Sequence, residues 1–177
     1  MNAPSAKMLV LAGEKFSCIR IIGRANFTSS VDFKRLVDEL YQKGWSYFVL
    51  DLSECTLMDS TFLGVLTGFG LRMNPSQNQG ADGAIELLNA NSRITELLEN
   101  LGVLHLFKLS TGTFKTPCGI ETERPESANP TRAQVTEACL EAHRILMEVN
   151  PNNVTKFKDV TQFLAEDLKR LKNGEKV

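Results

Sequence analysis

The sequence contains little of the chemistry that metal and redox sites use. It has only two histidines and four cysteines in 177 residues, and no two cysteines form a Cys-x-x-Cys pair. This scatter argues against a zinc knuckle or a thioredoxin-like site and favours reduced thiols. His105 and His143 are far apart, and neither has a second ligand at metal-site spacing. We therefore expect no metal and no cofactor.

Net charge and long apolar runs are also lacking. The 20 basic and 21 acidic residues leave a net charge of -1, so no general field draws DNA, RNA or an anionic membrane. The N-terminus has neither the basic start nor the apolar middle of a signal peptide, and no apolar run is long enough to span a bilayer. We expect a cytoplasmic protein without direct contact with nucleic acid or membrane.

Common phosphate-binding and nucleophile motifs are missing too. The chain has no Gly-x-x-x-x-Gly-Lys run, which argues against a kinase, and no Gly-x-Ser-x-Gly elbow. Gly68-Phe69-Gly70 is only a fragment of a dinucleotide fingerprint, because Met73 stands where the third glycine belongs. These patterns favour a protein that is not an enzyme.

The most informative stretch is 47–73, where two apolar runs flank a polar turn. Tyr47 to Leu52 is rich in aromatic and branched residues and predicts a buried strand. Ser60 to Met73 predicts a buried helix, in which Gly64 and Gly68 let a neighbouring backbone come close. The apolar residues of this helix cover more than half of its circumference: Phe62, Leu63, Val65, Leu66 and Phe69.

The elements around this centre follow from periodicity and turn residues. Two antiparallel strands, 8–12 and 16–24, precede an amphipathic helix. The N-cap candidates of this helix are Thr28, Ser29 and Ser30, and Asp32 is in its first turn and Lys43 in its last. After the centre come a loop at 74–83, a strand at 84–89, a helix capped by Asn91 or Ser92, and a last strand at 104–109. This order predicts an α/β layer fold that starts with an antiparallel strand.

The C-terminal third differs in composition. Residues 110–130 contain three prolines and no apolar period, which predicts a linker or surface arm. Thr131 and Gln134 form a capping box that opens one helix, and a second helix begins by about Thr155, so 131–177 predicts a helical hairpin. Its apolar stripes require a partner, which is either the core domain of residues 1–109 or a second copy in a homodimer.

The polar turn is the candidate site because Asp59 and Ser60 stand at the start of the central helix. A helix N-terminus carries unpaired N–H groups and a partial positive charge, so it accepts an acidic cap or a phosphate group. On the residues alone, the simplest interpretation is that Asp59 or Ser60 caps the helix.

At this turn the chain resembles the STAS family, the domain of bacterial anti-sigma factor antagonists. The matching residues are Asp51-Leu52-Ser53, then Met58-Asp59-Ser60-Thr61, then Leu63-Gly64-Val65. The resemblance covers about 8–109 and implies a mixed β-sheet packed with α-helices, to which the C-terminal helical hairpin is added. Phe62 stands where the family usually has glycine, which bears on partner choice more than on fold.

The resemblance also implies a function. In the family, the serine after the aspartate is phosphorylated by a kinase that is also the anti-sigma factor, and a phosphatase reverses the change. That role falls on Ser60, with Thr61 as second choice, and Asp59, Ser60, Thr61 and Phe62 would contact the partner. The alternative is a STAS structural subunit of a lipid or small-molecule transport assembly or another signalling complex, in which the serine is not modified.

Overall fold

The computed structural model describes residues 5–13, 16–74, 85–114, 121–123, 127 and 129–174. Its centre is a mixed sheet in the order β6-β5-β3-β2-β1-β7, with a short extra strand, β4, paired to β2. The strands are β1 (Lys7–Ala12), β2 (Phe16–Ala25), β3 (Tyr47–Asp51), β4 (Cys55–Met58), β5 (Ile85–Leu88), β6 (Lys108–Ser110) and β7 (Glu121–Glu123). The β1–β2 pair is antiparallel, as predicted. Parallel pairing then joins β2 to β3, β3 to β5 and β5 to β6.

Side chains of β3 alternate between two unequal faces of the sheet. Phe48 and Leu50 are fully buried in the main core beneath the helices. Val49 points to the other face, where a small cluster that includes Cys18 covers it. Asp51 lies on that face as well, and its Oδ2 accepts a hydrogen bond from the Arg20 guanidinium at 2.8 Å. The prediction of a buried strand at 47–52 is therefore confirmed, with the helices on one side only.

In the part of the chain that the structure describes, five α-helices accompany the sheet. They are α1 (Phe27–Gln42), α2 (Ser60–Met73), α3 (Ser92–Asn100), α4 (Arg132–Val149) and α5 (Val154–Lys172). The bounds predicted for α2 agree with the structure, and α3 is capped by Asn91, one of its two predicted caps. The loop predicted at 74–83 lies, except for Asn74, outside the described residues.

The start of α1 was predicted at the wrong residue. Its N-cap is Asn26, whose side chain accepts from the Ser29 backbone N–H while the Ser29 hydroxyl accepts from the Asn26 N–H. This reciprocal pair moves the helix start ahead of all three predicted caps, because Ser29 serves as the third helical residue instead. Asp32 consequently lies beyond the first turn, and Lys43 is the C-cap.

Two strand predictions also need correction. The polar turn after β3 contains the short strand β4, which pairs in parallel with β2 across a register shift at Gly23 and Arg24. The strand predicted at 104–109 is divided into a 3₁₀ turn, Leu104–Leu106, and β6, which begins only at Lys108. Within the segment predicted as a linker, β7 adds an antiparallel strand to β1.

The C-terminal hairpin, formed by α4, the 3₁₀ turn Pro151–Asn153 and α5, packs on the core domain. The capping box of Thr131 and Gln134 is confirmed at its start. Asn153 is fully buried at the tip and donates to the carbonyl oxygens of Leu101 and Leu146, both at 2.9 Å. Of the two arrangements left open by the sequence, docking on the core is the one that the structure contains.

Candidate functional site

Asp59 joins the start of two helices at the candidate site. Its Oδ1 accepts from the Phe62 backbone N–H at 2.8 Å, which caps α2, and its Oδ2 accepts from the Phe27 backbone N–H at 2.7 Å at the start of α1. Asp59 itself follows β4, and its own N–H donates to the Ala25 carbonyl at the end of β2. One carboxylate therefore sets the relative position of α1, α2 and the neighbouring strands.

Ser60 is the first residue of α2 and is half-buried. Its Oγ lies 3.0 Å from Nε2 of His143 on α4, and Nδ1 of the same ring lies 2.7 Å from the Cys139 carbonyl oxygen. Because a carbonyl can only accept, the proton of the neutral ring is on Nδ1, and Nε2 accepts the hydrogen bond from the Ser60 hydroxyl. The predicted site residue is thus bonded to a residue of the C-terminal hairpin.

The electrostatics of the site follow from burial. Burial lowers the pKa of His143, although the Cys139 carbonyl and the Asp59 charge oppose this shift, so the ring is neutral at neutral pH. Burial raises the pKa of Asp59 against the backbone N–H groups that it accepts from. Burial also raises the pKa of the Cys139 thiol. The site holds a neutral acceptor beside the serine and an acidic group whose charge is partly desolvated.

The two residues after Ser60 do not face solvent. Thr61 is 5% exposed, and its hydroxyl donates to Cys139 Sγ at 3.7 Å. Phe62 is fully buried, and its ring packs against Phe33 with 4.7 Å between ring centroids. In this arrangement Phe62 belongs to the core and offers no surface to a partner, unlike the prediction.

A close contact between backbones holds α4 on α2. A Cβ atom placed on Gly64 would lie 2.5 Å from the Ala142 carbonyl oxygen and 2.6 Å from the Ala142 Cβ. One turn further, a Cβ on Gly68 would meet only the end of the Ile145 side chain, at 2.8 Å. The predicted role of both glycines, close approach of a neighbour, is therefore confirmed, and the neighbour is α4 of the same chain.

A cavity of about 210 Å³ lies between α1, α2 and α4. Its apolar lining includes Phe69 and Ile145, and Lys34, Arg72 and Glu141 are among the charged residues that line it. Gly68 and Ile145 both border this cavity, so the end of the Ile145 side chain lies beside open space.

Three further residues near the site were not singled out from the sequence. His143 was considered only as a metal ligand, although its position on the apolar stripe of α4, one residue after Ala142, indicates a buried polar contact. Phe27 and Leu57 are 47% and 37% exposed, although both are large and apolar. The Phe27 backbone N–H donates to Asp59, and Leu57 precedes Asp59 by two residues. Exposed apolar surface therefore flanks the site.

The arrangement is better suited to binding than to catalysis. Ser60 and His143 have the spacing of a hydroxyl and a base, but the Phe62 N–H that could stabilise an oxyanion is occupied by Asp59. Within the described ranges, no group of three or more His, Cys, Asp or Glu side chains is arranged to hold a metal ion. No helix in the described part of the chain is both long enough and apolar enough to cross a bilayer.

Comparisons with known proteins agree with this architecture. The family model for the STAS domain matches residues 12–116. The structure of the anti-sigma factor antagonist SpoIIAA in its unphosphorylated form is similar, with a TM-score of 0.50 and 16% identity over 61% of this chain and 89% of that chain. An anti-sigma factor antagonist from Mycobacterium paratuberculosis gives a TM-score of 0.49 and 16% identity over 62% of this chain and 90% of that chain. A search of the curated proteins found no match.

The family model covers more than half of the 177 residues and includes every residue of β3, β4 and α2, and with them the Asp59-Ser60 turn. The residues matched by the model end before α4, so the hairpin that contacts Ser60 lies outside the matched range. On this evidence the chain belongs to the STAS domain family.

Proposed function

We propose that this chain is a bacterial anti-sigma factor antagonist, a binding module whose affinity for its partner is switched by phosphorylation of Ser60. The partner would be a serine kinase that is also the anti-sigma factor, and a phosphatase would restore the free hydroxyl. The observation that carries the proposal is the position of Ser60, half-buried at the start of α2 directly after its cap, Asp59.

The surroundings of Ser60 support a switch based on charge. A phosphate adds a charge of about -1.5 to -2 and three strong acceptor oxygens. At this site it would stand beside the Asp59 carboxylate, which already occupies the Phe62 N–H. The Phe62 N–H is therefore not available to the phosphate, and the added charge would repel an acidic partner surface or force the site to rearrange.

The exposed apolar side chains beside the site support its use as a binding surface. Phe27 and Leu57 flank Asp59, and large exposed apolar groups next to a polar site are typical of protein interfaces. Thr61 is a weaker candidate for modification than Ser60, because it is 5% exposed. In the proposal Phe27 and Leu57 take the apolar contact that the sequence assigned to Phe62.

The proposal is tested by purifying a tagged chain from its native host under conditions that preserve phosphate. We expect mass spectrometry to find phosphate on Ser60 and to identify a copurifying kinase. The Ser60→Ala variant should retain that kinase and Ser60→Asp should lose it. Ser92→Asp, at the exposed first residue of α3 directly after its Asn91 cap, is the control for added charge and should behave like the wild type.

The proposal is wrong if Ser60 carries no phosphate and Ser60→Asp recovers the same partners as the wild type.

One observation favours a second candidate, a STAS structural subunit of a larger complex. The bond between Ser60 and His143 gives the serine a purely structural use in the unmodified chain. Copurification of membrane ATPase subunits, independent of the residue at position 60, would select this second candidate.

A further inference from the structure

The C-terminal hairpin occupies the same face of α2 that a partner reading Ser60 would need. His143 accepts the hydrogen bond of the Ser60 hydroxyl at 3.0 Å and is itself 6% exposed. Thr61, one residue on, is covered by Cys139 of the same helix. The polar groups at the start of α2 are thus satisfied from within the chain.

The packing behind this contact leaves no space for another molecule. Around Gly64 the backbones of α2 and α4 are so close that a single added methyl group would overlap the Ala142 carbonyl. Ala142 and Leu146 are fully buried in the main core, which makes α4 part of that core. A partner that contacts Ser60 on this face must therefore displace α4.

A phosphate on Ser60 is incompatible with the same contact. Two atoms 3.0 Å apart, joined by a hydrogen bond, leave no room for a phosphoryl group between Ser60 Oγ and His143 Nε2. The neighbouring Asp59 carboxylate adds repulsion. Transfer to the hydroxyl and the presence of the phosphate both break this contact, which is one of the bonds that hold α4 against the start of α2.

We propose that the α4–α5 hairpin is an intramolecular cover that competes with the partner for the Ser60 end of α2. This inference rests on the proposed function, since it describes how the same serine is regulated. With the cover closed, Ser60 is protected from the kinase and the binding face is blocked. Because such coupling is reciprocal, phosphorylation of Ser60 also favours the open arrangement.

The chain offers a matched pair of variants to open the cover. Gly64→Ala places a methyl group against the Ala142 backbone, which cannot give way without moving α4. Gly68→Ala makes the same change one turn later, but its methyl group meets only the end of the Ile145 side chain. Gly68 and Ile145 both line the cavity, so the end of Ile145 can turn into it. Both changes improve the helix propensity of α2 to a similar extent.

Access to the site is then measured without any kinase. Ser60→Cys is introduced into the wild-type, Gly64→Ala and Gly68→Ala chains, and its reaction with N-ethylmaleimide is followed by site-resolved mass spectrometry. We expect Gly64→Ala to speed labelling of Ser60→Cys about tenfold or more, because overpacking shifts the opening equilibrium by at least that factor. Gly68→Ala should change the rate less than about twofold, since its neighbour can turn away. Labelling of Ser92→Cys, at the exposed start of α3, should be equal in all three backgrounds.

A second measurement tests the effect of charge on the cover. We expect hydrogen exchange of α4 backbone amides in 139–146 to speed up in Ser60→Asp, compared with Ser60→Ala and Ser92→Asp. The inference is overturned if Gly64→Ala and Gly68→Ala label equally, or if Ser60→Asp slows exchange in α4 by pairing with a protonated His143. If the cover opens as described but native Ser60 carries no phosphate, the cover is retained and the proposed switch fails. If Ser60 is phosphorylated while the cover tests fail, the switch is retained and this inference fails.

Discussion

Asp59 offers the sharpest test of how the site is built, because one carboxylate serves two helices. In Asp59→Ala the Phe62 N–H and the Phe27 N–H both lose their acceptor. Loss of an N-cap costs about 1 kcal/mol and loss of a hydrogen bond to a charged group costs about 1.5 to 3 kcal/mol. Water can replace the second bond, since Phe27 is exposed. We expect Asp59→Ala to lower the free energy of unfolding by about 2 to 3 kcal/mol.

Asp59→Asn separates the contribution of the cap from that of the charge. The amide oxygen of the new asparagine would still accept from the Phe62 N–H, and the neutral side chain avoids the cost of burying a charge, which raises the pKa of Asp59. We therefore expect a loss of about 1 kcal/mol or less. Because the folded-state pKa is raised, the wild type should gain stability over Asp59→Asn as pH falls below neutrality, and this gain is complete below the unfolded value of 3.8.

Chemical denaturation followed by circular dichroism and by the fluorescence of the single tryptophan, Trp45, measures these differences. Asn91→Ala is the matched control, because Asn91 caps α3 and donates to the Cys55 carbonyl without touching α1 or α2. The reasoning is refuted if Asp59→Ala unfolds within about 0.5 kcal/mol of the wild type, which is the ordinary range for a surface substitution. It is also refuted if the Ala and Asn variants are equally stable.

Three further predictions concern the hairpin and the sheet. Asn153→Ala removes two buried hydrogen bonds at the hairpin tip and should lower the free energy of unfolding by about 1 to 3 kcal/mol. Hydrogen exchange should speed up more in α4 and α5 than in α2, and a hairpin as well protected as in the wild type would contradict this. Because burial lowers the pKa of His143, the unfolded chain binds a proton below pH 6.5 that the folded chain does not. Lowering the pH from 7.5 to 5.5 should therefore reduce the hydrogen-exchange protection of α4, measured against the intrinsic exchange rate at each pH, and His143→Gln should remove this dependence. Burial raises the pKa of Asp51, but the hydrogen bonds from Ser53 and Arg20 outweigh this effect, so the pKa lies below its usual value. Asp51→Asn should therefore be less stable than the wild type at neutral pH, and the stabilities of the two chains should converge as the pH falls in acid unfolding experiments.

Elements that depend on neighbouring residues were predicted well. The bounds of α2 follow from an acidic cap placed directly before a long apolar run, and both signals are local. The hairpin of β1 and β2 likewise needs only two apolar strands and a short connection containing Gly13. The start of α1 was missed because several polar residues in a row could each serve as a cap, and only the reciprocal bonds of Asn26 and Ser29 decide among them.

Features that depend on distant partners were not predicted. The short strand β4 exists because β2 changes register at Gly23 and offers it an edge, and nothing within 55–58 signals this. The contact between Ser60 and His143 joins residues 83 positions apart, so spacing in the sequence could not indicate it. The candidate site at the start of α2 was thus predicted from local signals, whereas the helix that covers it became evident only from the fold.

The contact at Gly64 shows what the C-terminal hairpin takes from the domain on which it docks. Only a residue without a side chain fits there while α4 is docked. Gly64 is also one of the residues on which the resemblance to the STAS family rests. The hairpin, which lies outside the residues matched by the family model, is therefore seated on a notch that the matched domain already provides.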